Sequence, residues 1–438
     1  RLKPALRQHV PWLSNFPRQV AQPAWPWRIN SMRNHTFTQV RVCALVLSVI
    51  CVVAEPEKGK CGDDSCGAEQ DDLGLLQFRL SSASSSTSSA TLSSLTGARG
   101  TTPALSSLFG DIDKRMRPLL HTGWEDCNKM AGSVMQSGKK EKPSATPILI
   151  HTGVFLADTD TSKWQSPERK LRLGLLSFLA SQDLEHLQVR FWTNDPSDGK
   201  LRAALDPVLA DERYGKHVTV SQFNGTKEFH DAAGEAHLGD VLNLIYENNK
   251  LLPSKSDVMR VALLHNYGGI WVDADVLGVN SFAPLAGEDW AYLGQDNFIN
   301  NALVSVSRPR SNFIRHYLLH AAARCVEEAQ EQHAGIYTFG PEMLGNLFKE
   351  EKSPSDIDYF HVLPTCFFDG AWSGEPNAVG WDQFFKETAR PEQVEYVAPG
   401  KGAPFAYHWH GRWDYPITSG SIFDVSEKKY QDILKIKL

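Results

Sequence analysis

Two aspartates separated by one residue are the strongest candidates for chemistry in this chain. Asp273 and Asp275 occur in the segment GGIWVDADVLG, directly after the apolar residues 270–272. Side chains at positions i and i+2 of an extended strand point to the same side, so both carboxylates should project together from the end of a buried strand. Like charges held side by side are unfavourable without a compensating group. The spacing therefore predicts that a cation or a polyol lies between them.

A second pair of charged residues precedes the two aspartates. The segment SKSDVMRVALLHNYGG is apolar on nearly all sides, which predicts a buried helix that ends at Gly268 and Gly269. Asp257 and Arg260 nevertheless lie three residues apart on one face of this helix. Packing alone does not explain charges on a buried helix, so both residues are candidates for a ligand site.

The residue types around the aspartates indicate a hard divalent cation. Carboxylate oxygens with no neighbouring cysteine or histidine suit Mg²⁺ or Mn²⁺, which keep several waters and are often completed by substrate phosphates. A metal-bound diphosphate is therefore the expected ligand. An isolated Asp-x-Asp is common in surface turns, so this prediction depends on the buried helix and strand that precede it.

Composition excludes several classes of protein. The 438 residues include 45 basic and 51 acidic side chains, for a net charge of −6, and 42% are hydrophobic, enough for a large core. No basic block or stripe indicates a nucleic-acid partner. The seven cysteines lack the spacing of zinc ligands. Cys61 and Cys66 could close a small loop, and the pattern permits a disulfide without requiring one.

The first part of the chain resembles a targeting region. Residues 1–31 have no readable periodicity and are left as an unassigned leader. Within residues 32–54, a basic stretch precedes the apolar run VCALVLSVICVVA. This run is shorter than the roughly 20 residues of a membrane span, so it is either a cleaved signal peptide or a short type II signal anchor. Both alternatives place the protein in the ER or Golgi lumen, secreted or attached to the membrane only through this segment.

The remaining chain divides into a stem and one domain. Residues 55–145 are predicted to be a stem or linker that includes a helix or two, and its Ser/Thr-rich stretch at 81–102 cannot bury enough apolar surface to fold. Strand and helix patterns alternate from residue 147 to about 330, which predicts an α/β sheet covered by helices, and we predict that residues 146–438 form one domain. The predicted strands cover residues 147–151, 187–193, 216–223, 270–272, 291–294 and 302–306, and the predicted helices residues 166–183, 236–252, 254–269 and 312–330.

Residues 256–276, SDVMRVALLHNYGGIWVDADV, resemble the signature of the DXD-containing sugar transferases. This superfamily includes Golgi α-mannosyltransferases, α-1,4-galactosyltransferases and clostridial glucosylating toxins. The resemblance implies a GT-A fold, a Rossmann-like arrangement with a mostly parallel central sheet flanked by helices. It also implies a retaining glycosyltransferase that moves a sugar from a UDP- or GDP-linked donor to a hydroxyl of a glycan, glycoprotein or glycolipid.

The resemblance also implies roles for individual residues. Asp257 and Arg260 would face the donor sugar, Asp273 the ribose and the metal, and Asp275 would bind the metal, Mn²⁺ or Mg²⁺. In INNALVSV, the residue corresponding to the family's asparagine is Asn301, or else its neighbour at position 300. The segment YTFGPEML resembles the Gly-Pro turn that opens a helix beside the acceptor cleft.

The C-terminal segment AYHWHGRWD resembles the terminal His-x-Trp motif of the same superfamily. This similarity implies that His408 and Trp409 lie near the diphosphate, with His408 as a further metal ligand. His408 or His410 would donate a hydrogen bond to the leaving phosphate. Trp372, Trp409 and Trp413 are candidates for an acceptor site, because aromatic faces suit sugar rings.

One departure from the family pattern concerns the nucleobase. Many relatives carry His-x-x-Trp after the first strand, and the tryptophan stacks on the base. Here His151 has no tryptophan at that spacing, the nearest aromatic residue is Phe155, and Trp192 is an alternative. The identity of the base is therefore left open between UDP and GDP.

Two other functions fit part of the pattern. Haloacid-dehalogenase phosphatases use an Asp-x-Asp whose first carboxylate is a covalent nucleophile, but that motif normally opens the domain. A non-catalytic sugar-binding protein on the same fold would be expected to lose one of the two carboxylates. Here a long α/β segment precedes the motif, and both Asp273 and Asp275 are present. The pattern therefore favours the transferase.

Overall fold

The computed structural model describes residues 124–140, 148–156, 161–233, 252–294, 299–318, 340–350, 360–400 and 405–437, with isolated residues between 239 and 247. The predicted targeting segment, the Ser/Thr-rich stretch and most of the helix predicted at 236–252 lie outside these residues. Within the described ranges, no helix has the length and apolar character needed to cross a membrane.

A seven-stranded sheet forms the centre of the domain, and a two-stranded sheet lies beside it. The strands are β1 (Ile148–Val154), β2 (Leu187–Thr193), β3 (Val218–Gln222), β4 (Gly269–Val272), β5 (Val276–Gly278), β6 (Asp289–Leu293), β7 (Ile299–Val306), β8 (Phe360–Leu363) and β9 (Ala406–His408). The large sheet has the order β3-β2-β1-β4-β7-β6-β8, and β5 pairs with β9. Only β7 is antiparallel to its neighbours, whereas the other described pairs of this sheet are parallel.

Helices flank this sheet. They are α1 (Trp124–Lys140), α2 (Pro167–Ser181), α3 (Gly199–Leu209), α4 (Gly225–Ala233), α5 (Leu252–Tyr267), α6 (Pro341–Glu350), α7 (Trp381–Lys386), α8 (Pro391–Tyr396) and α9 (Ile422–Leu434). Residues 312–318 are helical as well, and the rest of the helix predicted at 312–330 lies outside the described ranges. The predicted α/β class, with a mostly parallel sheet flanked by helices, is confirmed.

The sheet is buried on both faces. In β4, Ile270 and Val272 belong to one apolar core, whereas the side chain of Trp271 between them belongs to a second core on the opposite face. Successive side chains of a strand point to opposite faces, so a strand covered on both sides must be apolar throughout. This explains why the sequence before Asp273 is an unbroken apolar run.

The packed unit begins before residue 146. Helix α1 lies within the region predicted to be stem, yet Cys127, Ala131 and Val134 are fully buried in the core. A disulfide joins Cys127 to Cys366, with a Cα–Cα distance of 6.3 Å, which is normal for such a bond. This helix is thus part of the folded domain, whereas Cys61 and Cys66 lie outside the described residues.

Two glycines turn the chain from α5 into β4. Gly268 and Gly269 have φ angles of 66° and 88°, a left-handed conformation that favours glycine. A Cβ atom at Gly269 would also lie 2.5 Å from the carbonyl oxygen of Leu149 on the neighbouring strand β1. Only glycine allows this close approach, which sets the direction of β4 and therefore the position of the aspartates at its end.

Candidate functional site

The two aspartates lie at the carboxyl end of β4, as the sequence predicts, but in a turn. The strand ends at Val272, and the Val276 N–H donates to the Asp273 carbonyl oxygen (3.1 Å). The Asp273 N–H donates to the Ala302 carbonyl oxygen on β7 (2.8 Å). The turn keeps the two carboxylates close enough for the charge of Asp275 to raise the pKa of Asp273, after burial, which is the larger cause.

Arg260 links the charged pair on α5 to the first of these aspartates. Its guanidinium lies 3.2 Å from an oxygen of Asp257 and 2.9 Å from Oδ1 of Asp273, and its side chain is only 3% exposed. Its Nη1 also donates to the carbonyl oxygen of Asn301 (2.5 Å). The indole Nε1 of Trp271 donates to the same Oδ1 of Asp273 (2.6 Å). Arg260 and Trp271 together fix the direction of the Asp273 carboxylate.

Asn301 completes this side of the site. Its Nδ2 donates to Oδ1 of Asp257 (2.8 Å), so the side chain at position 301 points toward the predicted donor-site residues. Burial raises the pKa of Asp257 to about 7, against the charge of Arg260 and the hydrogen bond from Asn301, which lower it. A Cβ atom at Gly340 would collide with Oδ2 of Asp257, so the glycine that precedes α6 lets that helix begin beside the carboxylate.

Asp275 faces the C-terminal segment. Its Oδ2 lies 3.2 Å from Nε2 of His408 and accepts a hydrogen bond from the Gly411 N–H (2.5 Å). Its carbonyl oxygen accepts a hydrogen bond from the Trp409 N–H (3.1 Å), which extends the pairing of β5 with β9. Burial raises the pKa of Asp275, but the charge and hydrogen bond of His408 outweigh it and bring the pKa below its ordinary value.

Asp369 is a residue of this site that the sequence does not reveal. Its Oδ2 accepts a hydrogen bond from the Tyr292 hydroxyl (2.8 Å) and lies 3.6 Å from Nδ1 of His408. Its Oδ1 lies 2.8 Å from Nε2 of His410. Burial raises the pKa of Asp369, but the charges and hydrogen bonds of His410 and His408 bring it to about 2. An ionised carboxylate therefore holds both imidazole rings.

Two groups of residues offer ligand atoms for a cation. Asp369, His408 and His410 present oxygen and nitrogen atoms within 4.8 Å of one another. Both oxygens of Asp369, however, already face hydrogen-bond donors. In contrast, Oδ2 of Asp273 and Oδ1 of Asp275 accept no hydrogen bond from any residue that the structure describes. The two DXD carboxylates therefore fit Mn²⁺ or Mg²⁺ better, and Nε2 of His408 could join the same cation only in place of its contact with Oδ2 of Asp275 (3.2 Å).

Asp369→Asn should weaken cation binding by about 10- to 100-fold, the usual effect of losing a carboxylate that orients a ligand histidine. An amide at position 369 still accepts from Tyr292, but it removes the negative charge that holds His408 and His410. Mn²⁺ titration followed by electron paramagnetic resonance measures the effect. Glu375→Gln, a nearby carboxylate that contacts neither histidine, is the control. Equal Mn²⁺ affinity in Asp369→Asn and the control would show that Asp369 does not orient the site.

The three tryptophans predicted to line an acceptor site do not come together around the aspartates as the charged residues do. The side chain of Trp409 is fully buried among aromatic residues, with ring centroids 5.8 Å from Phe384, so only its backbone reaches Asp275. Trp413 stacks on Trp164 at 4.7 Å, whereas Trp372 lies 4.3 Å from the ring of His410. Alternation along β9 already separates the side chain of His408 from that of residue 409, and this pattern is visible in the sequence.

The residues considered for the nucleobase lie in or beside the second core, on the same face of the sheet as Trp271. His151 is fully buried, its Nε2 lies 3.0 Å from the Gly268 carbonyl oxygen, and its Nδ1 accepts a hydrogen bond from Nε1 of Trp192 (3.0 Å). Trp192 and Phe155 both pack in the second core. His151 therefore links β1, β2 and the glycine turn that positions β4.

Protonation of His151 should destabilise the fold. Burial, followed by the charge of Arg190, lowers its pKa to about 3, so the fold holds the neutral ring. The pKa in the unfolded chain is about 6.5, so this contribution to stability is present above that pH and is lost as the pH falls toward 3. Between pH 6.5 and 4.5 we expect the free energy of unfolding to fall by up to about 1.4 kcal/mol per pH unit from this group. Urea denaturation of the wild type should show a steeper pH slope than His151→Gln, and equal slopes would contradict the prediction.

Comparisons with known proteins point to the same part of the chain. Residues 241–320 match the model of the capsular polysaccharide synthesis protein family. This segment is less than a fifth of the chain, but it contains Asp257, Arg260, Asp273, Asp275 and Asn301. No match was found among curated protein sequences.

Among solved structures, the chain is similar to glycosyltransferase domains of low sequence identity. The PaToxG glycosyltransferase is 16% identical, with a TM-score of 0.34, over 52% of this chain and 78% of that chain. The UDP-bound glycosyltransferase domain from the YGT toxin is 9% identical, with a TM-score of 0.34, over 50% of this chain and 79% of that chain. The match to the capsular polysaccharide synthesis protein family covers residues 256–276, the segment that carries the resemblance to sugar transferases.

Proposed function

We propose that this chain is a glycosyltransferase of the GT-A fold that uses a UDP- or GDP-linked sugar. The observation that carries the proposal is the continuous arrangement from Asp257 through Arg260 to Asp273, with Asp275 beside it at the carboxyl end of β4. Ligands of open α/β sheets bind at these strand ends. Buried charges of this kind are costly to keep, which supports a role in binding a charged substrate.

Each residue of the site has a separate role in the proposed reaction. Asp273 and Asp275, with His408 as a third ligand, would hold Mn²⁺ or Mg²⁺, which supplies positive charge to a diphosphate leaving group. Arg260 and Trp271 fix Asp273, so the carboxylate does not reorganise when substrate binds. Asp257 and Asn301, joined by a hydrogen bond, would bind hydroxyl groups of the donor sugar.

We propose transfer with retention of anomeric configuration, as the resemblance to the DXD-containing sugar transferases implies. In that mechanism the departing phosphate oxygen takes the proton of the acceptor hydroxyl. The acceptor, a glycan, glycoprotein or glycolipid, would approach from the side of α6 and Trp372, which lie next to the Asp257 and His410 ends of the site.

The arrangement gives less support to a phosphatase. A haloacid-dehalogenase phosphatase normally carries its nucleophilic aspartate at the start of the domain, whereas here β1, β2 and β3 precede β4 and the two aspartates that follow it. The experiment that separates the two functions is a screen of UDP- and GDP-sugars for hydrolysis, with Mn²⁺ and with a chelator. We expect metal-dependent release of one nucleoside diphosphate. Release of phosphate from simple phosphomonoesters instead would favour the phosphatase.

We also propose a location in the secretory lumen, on the evidence of the N-terminal sequence. Asn224 in the sequence Asn-Gly-Thr is exposed at the start of α4, where its Oδ1 accepts a hydrogen bond from the Lys227 N–H (2.9 Å). An exposed site of this sequence is a substrate for N-glycosylation in the lumen. Treatment of the protein from eukaryotic cells with a glycosidase should change its mobility, and unchanged mobility together with a cytosolic fraction would contradict this location.

A further inference from the structure

A buried lysine near the start of α2 binds three backbone carbonyl oxygens of one segment. Lys170 is fully buried, and its Nζ donates to the carbonyl oxygens of Arg412 (2.8 Å), Trp413 (2.9 Å) and Tyr415 (2.8 Å). An ammonium group has three N–H donors, so this segment satisfies all of them. The same lysine lies 4.6 Å from the ring centroid of Phe385, which adds a favourable contact for a cation.

Burying the charged ammonium group of Lys170 is unfavourable, so its contacts with residues 412–415 must compensate for the loss of water. Burial lowers the pKa of Lys170 to about 7, against the charge of Asp414, which raises it. The three carbonyl oxygens are further groups that favour the charged form. Removing the ammonium group would leave three carbonyl oxygens of residues 412–415 without this donor. The segment therefore depends on a residue that is remote from it in sequence.

Residues just before Lys170 hold the same segment. The Gln165 N–H donates to the Trp413 carbonyl oxygen (2.8 Å), and Trp164 stacks on the Trp413 ring with an interplanar angle of 17°. The region from Trp164 to Lys170 thus contacts residues 412–415 through backbone, ring and ammonium group together.

The anchored segment follows the turn that contacts Asp275. His410 and Gly411 have φ angles of 53° and 65°, and this left-handed conformation is unfavourable for a residue with a side chain such as His410. The turn directs the Gly411 N–H at Oδ2 of Asp275. A strained backbone persists only where its surroundings hold it, and the Lys170 contacts begin at the next residue, Arg412.

We infer that Lys170 is a positioning residue for the proposed donor site, because it anchors residues 412–415 and thereby holds the Gly411 N–H on Asp275. The inference rests on the proposed function only where it assigns Asp275 to that site. The anchoring itself is a property of the fold, so it can be measured without activity.

The test compares Lys170→Met with Arg172→Met. Methionine keeps most of the lysine volume and removes the donors, whereas Arg172 lies on the same helix and pairs with Glu427 (3.2 Å) away from the turn. We expect amide hydrogen exchange of residues 410–415 to increase about tenfold or more in Lys170→Met, the order expected when hydrogen bonds to a charged group are lost. Arg172→Met should not increase exchange selectively there. Lys170→Gln keeps two N–H donors, so its amide hydrogen exchange at residues 410–415 should be intermediate between the wild type and Lys170→Met. This variant replaces Lys170→Met in the test if the methionine variant does not fold.

Turnover of a nucleotide sugar provides the second readout. If the wild type is active, Lys170→Met should lose about tenfold in kcat, because a displaced Gly411 no longer fixes Asp275. Arg172→Met should retain the wild-type rate. Unchanged exchange at 410–415, or the same selective increase in Arg172→Met, would overturn the anchoring. Increased exchange with an unchanged kcat would overturn the positioning role. An inactive wild type contradicts the proposed function instead, and the exchange result still decides the anchoring.

Discussion

Asp275→Asn is expected to lower turnover of a nucleotide sugar by about 10²–10³, the effect of removing one preorganised electrostatic contact from an active site. The amide keeps the size of the side chain and accepts the Gly411 N–H, but it removes the negative charge that the proposed cation requires. Because that charge matters most as the leaving group develops its own, the larger change should appear in kcat. Steady-state kinetics with Mn²⁺ measures it.

The structure determines which variant tests this residue. Asp275 is only 9% exposed, and its carboxylate contacts both His408 and Gly411. Truncation to alanine would leave these two groups without their acceptor and cost about 1–3 kcal/mol of stability. Asp206→Asn, a half-exposed aspartate on α3, is a suitable control. Near-normal Mn²⁺-dependent turnover in Asp275→Asn, with an unchanged circular dichroism spectrum, would contradict the proposed role.

Arg260→Met is expected to lower the free energy of unfolding by about 3–5 kcal/mol, because it leaves the buried carboxylate of Asp257 and the partly buried carboxylate of Asp273 without their counter-charge. Arg260 is 3% exposed and is within ion-pair distance of both Asp257 and Asp273. Part of this loss of stability should be offset when Asp257 takes up a proton and becomes neutral, because its pKa is already raised to about 7. Urea denaturation measures the change in stability.

The matched control for this variant is Arg202→Met. Arg202 pairs with Asp206 at 2.7 Å, but both side chains are nearly half exposed, so its loss should cost only about 0–1 kcal/mol. A cost for Arg260→Met as small as that of the control would mean that the buried pairs are not coupled. Arg260 would then not be the centre of a coupled set of charges.

The local patterns of the sequence identified the part of the site that is close together in the chain. The apolar run before Asp273, the glycines after α5 and the charges at positions 257 and 260 all occur within about one helix and one strand. Their periodicity specifies which residues share a face. The structure brings these residues together around Arg260, and the hydrogen bond from Asn301 adds a third element, β7.

The opposite half of the site could not be predicted in the same way. Asp369 meets Tyr292 and His410 through contacts between residues far apart in sequence, and no spacing rule connects them. The disulfide of Cys127 and Cys366 presents the same problem, because spacing alone does not determine which cysteines pair. A lone aspartate in the aromatic segment CFFDG was the only local signal for Asp369.

The most direct test of the central claim is the coupling between Mn²⁺ and nucleoside diphosphate binding. If Asp273 and Asp275 hold a cation that contacts the diphosphate, each ligand must increase the affinity for the other by the same factor. Isothermal titration of UDP and GDP with and without Mn²⁺ measures this factor in the wild type and in Asp275→Asn. We predict strong mutual enhancement for one of the two nucleotides in the wild type and its loss in the variant. Equal nucleotide affinity with and without Mn²⁺, or full enhancement in Asp275→Asn, would contradict the assignment of the site.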